Sequence, residues 1–189
     1  FITGAAKGIG LSVARAFAAE GAAVALADIS EEESKKQSLE IKEIYGVDAI
    51  GVKCDVGDTI SVQNAIKETS EAFNGLDTIA CMAATLTERL DVVDLPEDEW
   101  NRTLNVNLTG SFLVCKHGIP FLREAGGGSI ILTASQMGQV AWPGSTAYCT
   151  TKGGILQLVK GIALDHKDEN IRCNSCLLYT SPSPRDLDL

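Results

Sequence analysis

Histidine is almost missing from this chain: of 189 residues only His117 and His166 carry an imidazole. No histidine–acid constellation therefore supports a serine-hydrolase reading. Basic residues are also short, 16 Lys and Arg against 25 Asp and Glu. The resulting net charge of −9 argues against nucleic acid or an anionic membrane as partner, although a dinucleotide needs only local donors. No apolar run approaches the ~18 residues of a membrane span. No secretory signal, internal repeat or interdomain linker is visible. The six cysteines are scattered, at 54, 81, 115, 149, 173 and 176. Cys173-Asn-Ser-Cys176 has redox or zinc spacing, but there is no second pair and both histidines stand far off in sequence. Reduced cysteines in a cytoplasmic protein, and no metal site, are the expectation.

What is present is an ordinary globular composition, 45% hydrophobic and 22% charged, long enough for one domain with a sizeable core. Continuous apolar runs at 1–3, 23–28, 49–54, 78–83, 129–133 and 171–175 read as strands. Helical periods fill 9–20, 31–45, 60–73, 97–122 and 147–166. Unbroken Ile/Val/Ala strands are those that helices cover on both faces. The alternation predicts an α/β fold, a doubly wound parallel sheet in three layers, α/β/α. Ligands in such sheets lie beyond the carboxyl ends of the strands. That places residues 4–10, Asp28, Asp55-Val56, Ala83-Ala84-Thr85 and Ala134-Ser135-Gln136 along one rim.

The first turn, Thr3-Gly4-Ala5-Ala6-Lys7-Gly8-Ile9-Gly10, joins a strand to a helix whose apolar face is read as Ile9, Val13, Ala16 and Phe17. Gly4 permits the tight turn, Gly8 lets backbone approach a pyrophosphate, and Gly10 lets helix pack on strand. The helix N-terminus offers free N–H groups and partial positive charge. Glycines in a turn can also be merely structural. Asp28, at the end of the second strand and 18 residues past Gly10, stands where a carboxylate grips a ribose 2′-hydroxyl; its bland alternative is a solvated strand end. Together they predict a dinucleotide site.

Tyr148 and Lys152 stack on one helix face at i, i+4. A free tyrosine has a pKa of about 10, and a nearby ammonium favours phenolate. The pair is suited to exchanging a proton with an alcohol or a forming alkoxide. Ser135, 13 residues earlier at a strand end, is placed to hydrogen-bond the same oxygen, or simply terminates its strand. Asn107 is a polar residue inside an apolar helix, either a satisfied hydrogen-bonder or part of the site.

At this point the chain resembles the short-chain dehydrogenases/reductases, over residues 2–175. The resemblance rests on Thr3-Gly-x-x-x-Gly8-x-Gly10, Asp28, Asp55-Val56, Asn105-Val-Asn107-Leu-Thr-Gly110, Ser135 and Tyr148-x-x-x-Lys152, in order and at family spacing. It implies a Rossmann-like sheet, of which the seventh strand is missing here. It implies Tyr148 as acid/base, Lys152 lowering its pKa and holding the nicotinamide ribose, Ser135 orienting the substrate oxygen, and Asn107 supporting a water that links Lys152 to solvent. The cofactor contacts it implies are Gly4, Lys7, Gly8, Ile9, Gly10, Asp28, Ile29, Asp55, Val56 and Ala83, besides Tyr148 and Lys152.

Two departures stand out. Cys81-Met82-Ala83-Ala84 occupies the place of the family's Asn-Asn-Ala-Gly, and only Ala83 matches. After Ser175 the family's Pro-Gly turn, substrate-covering segment and last strand do not follow. Residues 176–186, Cys-Leu-Leu-Tyr-Thr-Ser-Pro-Ser-Pro-Arg-Asp, read as an in-frame translation of a transposase-type sequencing adaptor, or else as a divergent Pro/Ser-rich loop. The expectation is one dinucleotide-binding domain at 1–175, an interior piece of a longer protein, and a non-native tail at 176–189. Pro182, Pro184, Asp186 and Asp188 suit no further strand.

The function expected is hydride transfer between NAD(H) and a small secondary alcohol or ketone. Asp28 favours NAD over NADP, and Lys7 is the counter-signal. Gln136, Trp142 and Pro143 are expected at the substrate pocket. A homodimer or homotetramer is expected through 97–122 and 147–166. The alternatives are a non-catalytic dinucleotide-binding or regulatory protein, or an inactive fragment of the enzyme.

Overall fold

The computed structural model describes residues 1–179; the expectations for Pro182, Pro184, Asp186 and Asp188 lie outside them. Six strands form one all-parallel sheet: β1 (Ile2–Thr3), β2 (Val24–Asp28), β3 (Ala49–Lys53), β4 (Thr78–Cys81), β5 (Gly128–Ser135) and β6 (Ile171–Leu178). Their order is β3-β2-β1-β4-β5-β6. The winding reverses between β1 and β4, so a crevice opens there at the carboxyl ends. Helices α1 (Gly8–Ala19) and α2 (Glu31–Tyr45) cover one face; α3 (Thr59–Phe73), α5 (Gly110–Glu124) and α6 (Thr146–Asp165) cover the other. The expected three layers are thus present.

Local signals set the helix ends. Three acids, Glu31, Glu32 and Glu33, fill the first turn of α2, complementing its dipole, and Gly46 closes it with φ +69°. Asp58 caps α3, accepting the Ser61 N–H at 2.6 Å, which satisfies one of the orphan donors of a helix start.

The inner face of α1 differs in part from the sequence expectation. Gly10, Ala14 and Ala18 are buried and Val13 and Phe17 pack half-buried against that core, whereas Ile9 and Ala16 are exposed. Smallness is selected rather than hydrophobicity, because α1 lies nearly on the backbone. A Cβ at Gly10 would stand 2.1 Å from the Gly4 carbonyl oxygen. Gly51 of β3 does the same for α2, where a Cβ would stand 2.2 Å from the Lys35 nitrogen.

The expected helix over 97–122 is two helices. α4 (Glu97–Leu104) and α5 are joined by a single π turn, Asn105–Thr109, a geometry found mostly as isolated turns at functional sites. The sixth strand runs three residues past Ser175, with Cys176, Leu177 and Leu178 paired to Thr133, Ala134 and Ser135. On the α1 side of this half-sheet Arg172 and Asn174 are exposed, and among the described residues no helix covers them.

Replacing Gly10 or Gly51 by alanine forces backbone apart and should destabilise the fold by about 1–3 kcal/mol or more. Gly8→Ala meets no atom within 4 Å and carries only the strain of φ +60°, about 1 kcal/mol. Urea unfolding midpoints should therefore fall further for Gly10→Ala and Gly51→Ala than for Gly8→Ala.

Candidate active site

At the reversal point Thr3, buried, ends β1. Its hydroxyl oxygen accepts the backbone N–H groups of both Met82 and Ala83 at 3.1 Å. A Cβ at Gly4, whose φ is +64°, would lie 2.8 Å from Ala83 Cα. The two halves of the sheet are thus laced together by backbone, without the asparagine amides that Cys81 and Met82 lack. Thr133 adds a contact to Met82 Sδ at 2.8 Å.

The glycine turn then opens to solvent. Lys7, Gly8 and Ile9 are exposed, while Gly10 is buried. Lys7 precedes α1 in an extended conformation and makes no side-chain cap. The first N–H groups of α1 therefore have no side-chain cap, and the positive end of the helix lies behind them,. Asp28 is drawn to this turn: Oδ2 accepts the Ala6 N–H at 3.1 Å and Oδ1 the Ser30 N–H at 3.0 Å. Ile29 beside it is 68% exposed. After β3, Asp55 is exposed and accepts the Gly57 N–H at 2.9 Å. Val56 is buried against Gly110. These residues, with half-buried Ala83, share the carboxyl rim of the sheet, and their donor set fits a dinucleotide. Pyrophosphate would meet helix N–H groups over a glycine without Cβ, and a ribose would meet Asp28.

The other half of the rim holds Asn107, Ser135, Tyr148 and Lys152. Asn107, 1% exposed in the π turn, grips Thr85 twice. Its Oδ1 accepts the Thr85 N–H at 2.7 Å and its Nδ2 donates to the Thr85 carbonyl at 3.0 Å. Nδ2 also reaches Thr151 Oγ1 at 3.3 Å, and Thr151 donates to the Tyr148 carbonyl at 2.8 Å. Ser135, at the last position of β5, accepts the Met137 N–H at 3.1 Å and directs its own hydrogen weakly to the Leu178 carbonyl at 3.4 Å. The Tyr148 phenol lies against the Ser135 hydroxyl.

Lys152 is 2% exposed, and its ammonium donates to the Thr133 carbonyl at 2.6 Å. It stands 5.4 Å from the Tyr148 ring centroid. Burial pulls its pKa down from 10.5 to about 8. Burial also pushes the Tyr148 phenol up, and the nearby Ser135 hydroxyl opposes that rise. The expected depression of Tyr148 by Lys152 is therefore not what this arrangement produces. The ammonium sits under the ring and bonds backbone, rather than reaching the hydroxyl.

Sequence reasoning placed Thr3 in the glycine turn and Thr85 on the rim without a role for either hydroxyl, and it missed Thr151 and Arg102. Arg102 reaches Thr85 Oγ1 and the Leu86 carbonyl from α4. The spacing Glu99-x-x-Arg102 was the only signal, and it names no target. Among the described residues no group of three His, Cys, Asp or Glu side chains could hold a metal, and no helix is long and apolar enough to cross a membrane.

A family model described as enoyl-(acyl carrier protein) reductase matches residues 4–181. The 2,5-dichloro-2,5-cyclohexadiene-1,4-diol dehydrogenase of Sphingobium indicum is 37% identical over 174 residues, 92% of this chain and 69% of that protein. The 2-(R)-hydroxypropyl-CoM dehydrogenase of Xanthobacter autotrophicus is 35% identical over 176 residues, 92% of this chain and 70% of that protein. The alcohol dehydrogenase of the archaeon Thermococcus sibiricus, solved with 5-hydroxy-NADP, superposes with a TM-score of 0.89 at 27% identity, covering 96% of this chain and 76% of that one. The chain thus belongs to the short-chain dehydrogenase/reductase family of oxidoreductases, acting on alcohol groups.

Proposed function

We propose that the chain carries the site of an NAD(H)-dependent enzyme that interconverts a small secondary alcohol and its ketone, with Tyr148 as the acid/base. The observation that carries this reading is the meeting of the Tyr148 and Ser135 hydroxyls at the rim, beside buried Lys152. Gly4, Gly8, Gly10 and Asp28 would hold the cofactor, with Lys7, Ile9, Ile29, Asp55, Val56 and Ala83 around it. Bound there, the nicotinamide supplies or accepts the hydride.

In reduction Tyr148 Oη gives its proton to the carbonyl oxygen as charge develops there; in oxidation it takes the proton from the alcohol. Ser135 holds its hydrogen only loosely on Leu178, so its Oγ–H can turn to the same oxygen and place it. Lys152, held on the Thr133 carbonyl beside the Tyr148 ring, would hold the nicotinamide ribose. Asn107 fixes Thr85 and, through Thr151, the start of the Tyr148 helix; a water on its backbone would carry protons between Lys152 and solvent.

The substrate is read as an apolar alicyclic alcohol. Leu86, Val140 and Trp142 are exposed at the mouth, and the loops that carry them meet where Leu90 bridges Ser145. One relative is named for a cyclohexadiene diol. Copies of the chain are read as pairing through α5 and α6, whose outer faces leave a groove of about 400 Å³ along Phe112, Ile119 and Leu158. The carboxylate charge of Asp28, which would meet a 2′-phosphate, favours NAD over NADP.

Tyr148→Phe removes one oxygen and little volume. It should lower kcat by about a hundred- to ten-thousand-fold while leaving NADH affinity, read by fluorescence titration, near the original. Retention of kcat would show that another group moves the proton.

Asp28→Ala should weaken NADH by about tenfold and strengthen NADPH, the loss of one charge-assisted hydrogen bond. Titration of both cofactors checks this, and a wild-type protein that already prefers NADPH would transfer the discrimination to Lys7.

Lys152 also predicts a pH dependence of stability. Its folded pKa, about 8, lies below the usual 10.5. Below pH 8 the buried charge weighs on the folded state in full. Between pH 8 and 10.5 the unfolded lysine binds more protons than the folded one, so the Lys152 contribution rises with pH by about 3 kcal/mol. Burial pushes the Cys54 and Cys173 thiols up to about 12, and above pH 9 they pull stability the other way in any variant that keeps them. Denaturant melts should therefore show the stability of wild type relative to Lys152→Met growing across that window.

A further inference from the structure

Arg102 is used in a way that the reaction scheme above does not require. Its guanidinium spends four of its five N–H groups on three residues. Nε and Nη2 hold the Glu99 carboxylate at 3.2 and 2.7 Å, while Nη1 donates to Thr85 Oγ1 and Nη2 to the Leu86 carbonyl at 3.2 Å. As an ion pair this fork contributes little, because both side chains are well exposed,. Its value is geometric. The segment it grips leaves β4 at the reversal of the sheet and has no ladder partner of its own. Asn107 holds the same residue from the opposite side, through the Thr85 N–H and carbonyl. Thr85 is therefore fixed by its backbone from one helix segment and by its side chain from another, one relay of hydrogen bonds away from Tyr148 through Thr151.

We propose that Arg102, braced by Glu99, is a positioning residue that fixes the Thr85–Leu86 wall of the crevice where the nicotinamide end of the cofactor is to lie. This rests on the reading of the rim as a dinucleotide site, and its placement follows from that reading. Asp28 and the glycine turn take the adenosine end over β1 and β2, so the reactive end falls beyond β4, between Thr85 and Tyr148. Lysine cannot replace the fork. It has one nitrogen and a compact charge, and it cannot serve Glu99, Thr85 and Leu86 together.

The test compares wild type with Arg102→Lys and Glu99→Gln. Amide hydrogen exchange at Thr85 should speed up by about tenfold, the worth of one lost anchoring bond, while Ile79 inside β4 keeps its protection. With NADH as the probe, the dissociation constant should stay within about twofold, since the adenosine contacts are untouched, and the emission of the bound nicotinamide should shift. A purely structural role would lower protection at Ile79 as well and leave the emission of bound NADH in place. Unchanged exchange at Thr85, or unchanged emission, in both variants overturns the inference while the cofactor reading stands. Failure of the wild-type protein to bind NADH overturns both.

Discussion

Two backbone N–H groups converge on one hydroxyl, Thr3 Oγ1, and the placement of the whole rim depends on that convergence. β1 has only two residues and lies between β2 and β4, where the sheet changes its direction of winding. Such a short strand cannot hold the halves in register by ladder bonds alone. Thr3 binds the chain just past the end of β4, and Gly4 then passes so close to Ala83 that no side chain fits between them. The position of that turn sets where α1 begins, and Gly10 seats α1 on the Gly4 carbonyl. The uncovered N–H groups, the reach of Asp28 to Ala6 and the depth of the crevice follow from this packing.

Lys152 is the costly element of the other half. It is the largest side chain to be fully buried, and it is a cation. A buried ammonium persists when hydrogen bonds compensate it or when it lowers its own pKa, and both occur here. The Thr133 carbonyl that receives it lies near the end of β5, where β5 pairs with the last residues of β6. The half of the rim that holds Tyr148 and Ser135 is consequently tied to the pairing of the final strand, and Ser135 donates into the same strand at Leu178.

The strands were legible in the sequence because parallel strands covered by helices are continuous apolar runs; β2 and β3 begin and end within a residue of the expectation. Ser135, Tyr148 and Lys152 were legible for a similar reason, since a strand end and an i, i+4 helix pair carry their own geometry. Val13 and Phe17 of the expected α1 face do pack on the core, but Ile9 and Ala16 were misread because hydrophobicity was weighed where fit against backbone decides, and Gly10, Ala14 and Ala18 score poorly as apolar. The π turn was invisible, as nothing in Asn105-Val-Asn-Leu-Thr109 separates it from an ordinary helix. The grip of Arg102 on Thr85 was likewise hidden, because it joins a helix to an irregular segment whose path no periodicity describes. Lys152 was placed correctly on its helix face, but the direction of its ammonium depends on a carbonyl of another strand.

The π turn between α4 and α5 works as a change of phase. An α-helix advances about 100° per residue, so one surplus residue in a turn rotates everything after it by that amount relative to everything before. Arg102 and Asn107 belong to the first setting, in which polar side chains meet the loop after β4. Leu113, Val114 and Leu122 belong to the second, in which aliphatic side chains meet β4 and β5. A strictly regular rod of the same composition would have to choose between these two audiences, and this one addresses both.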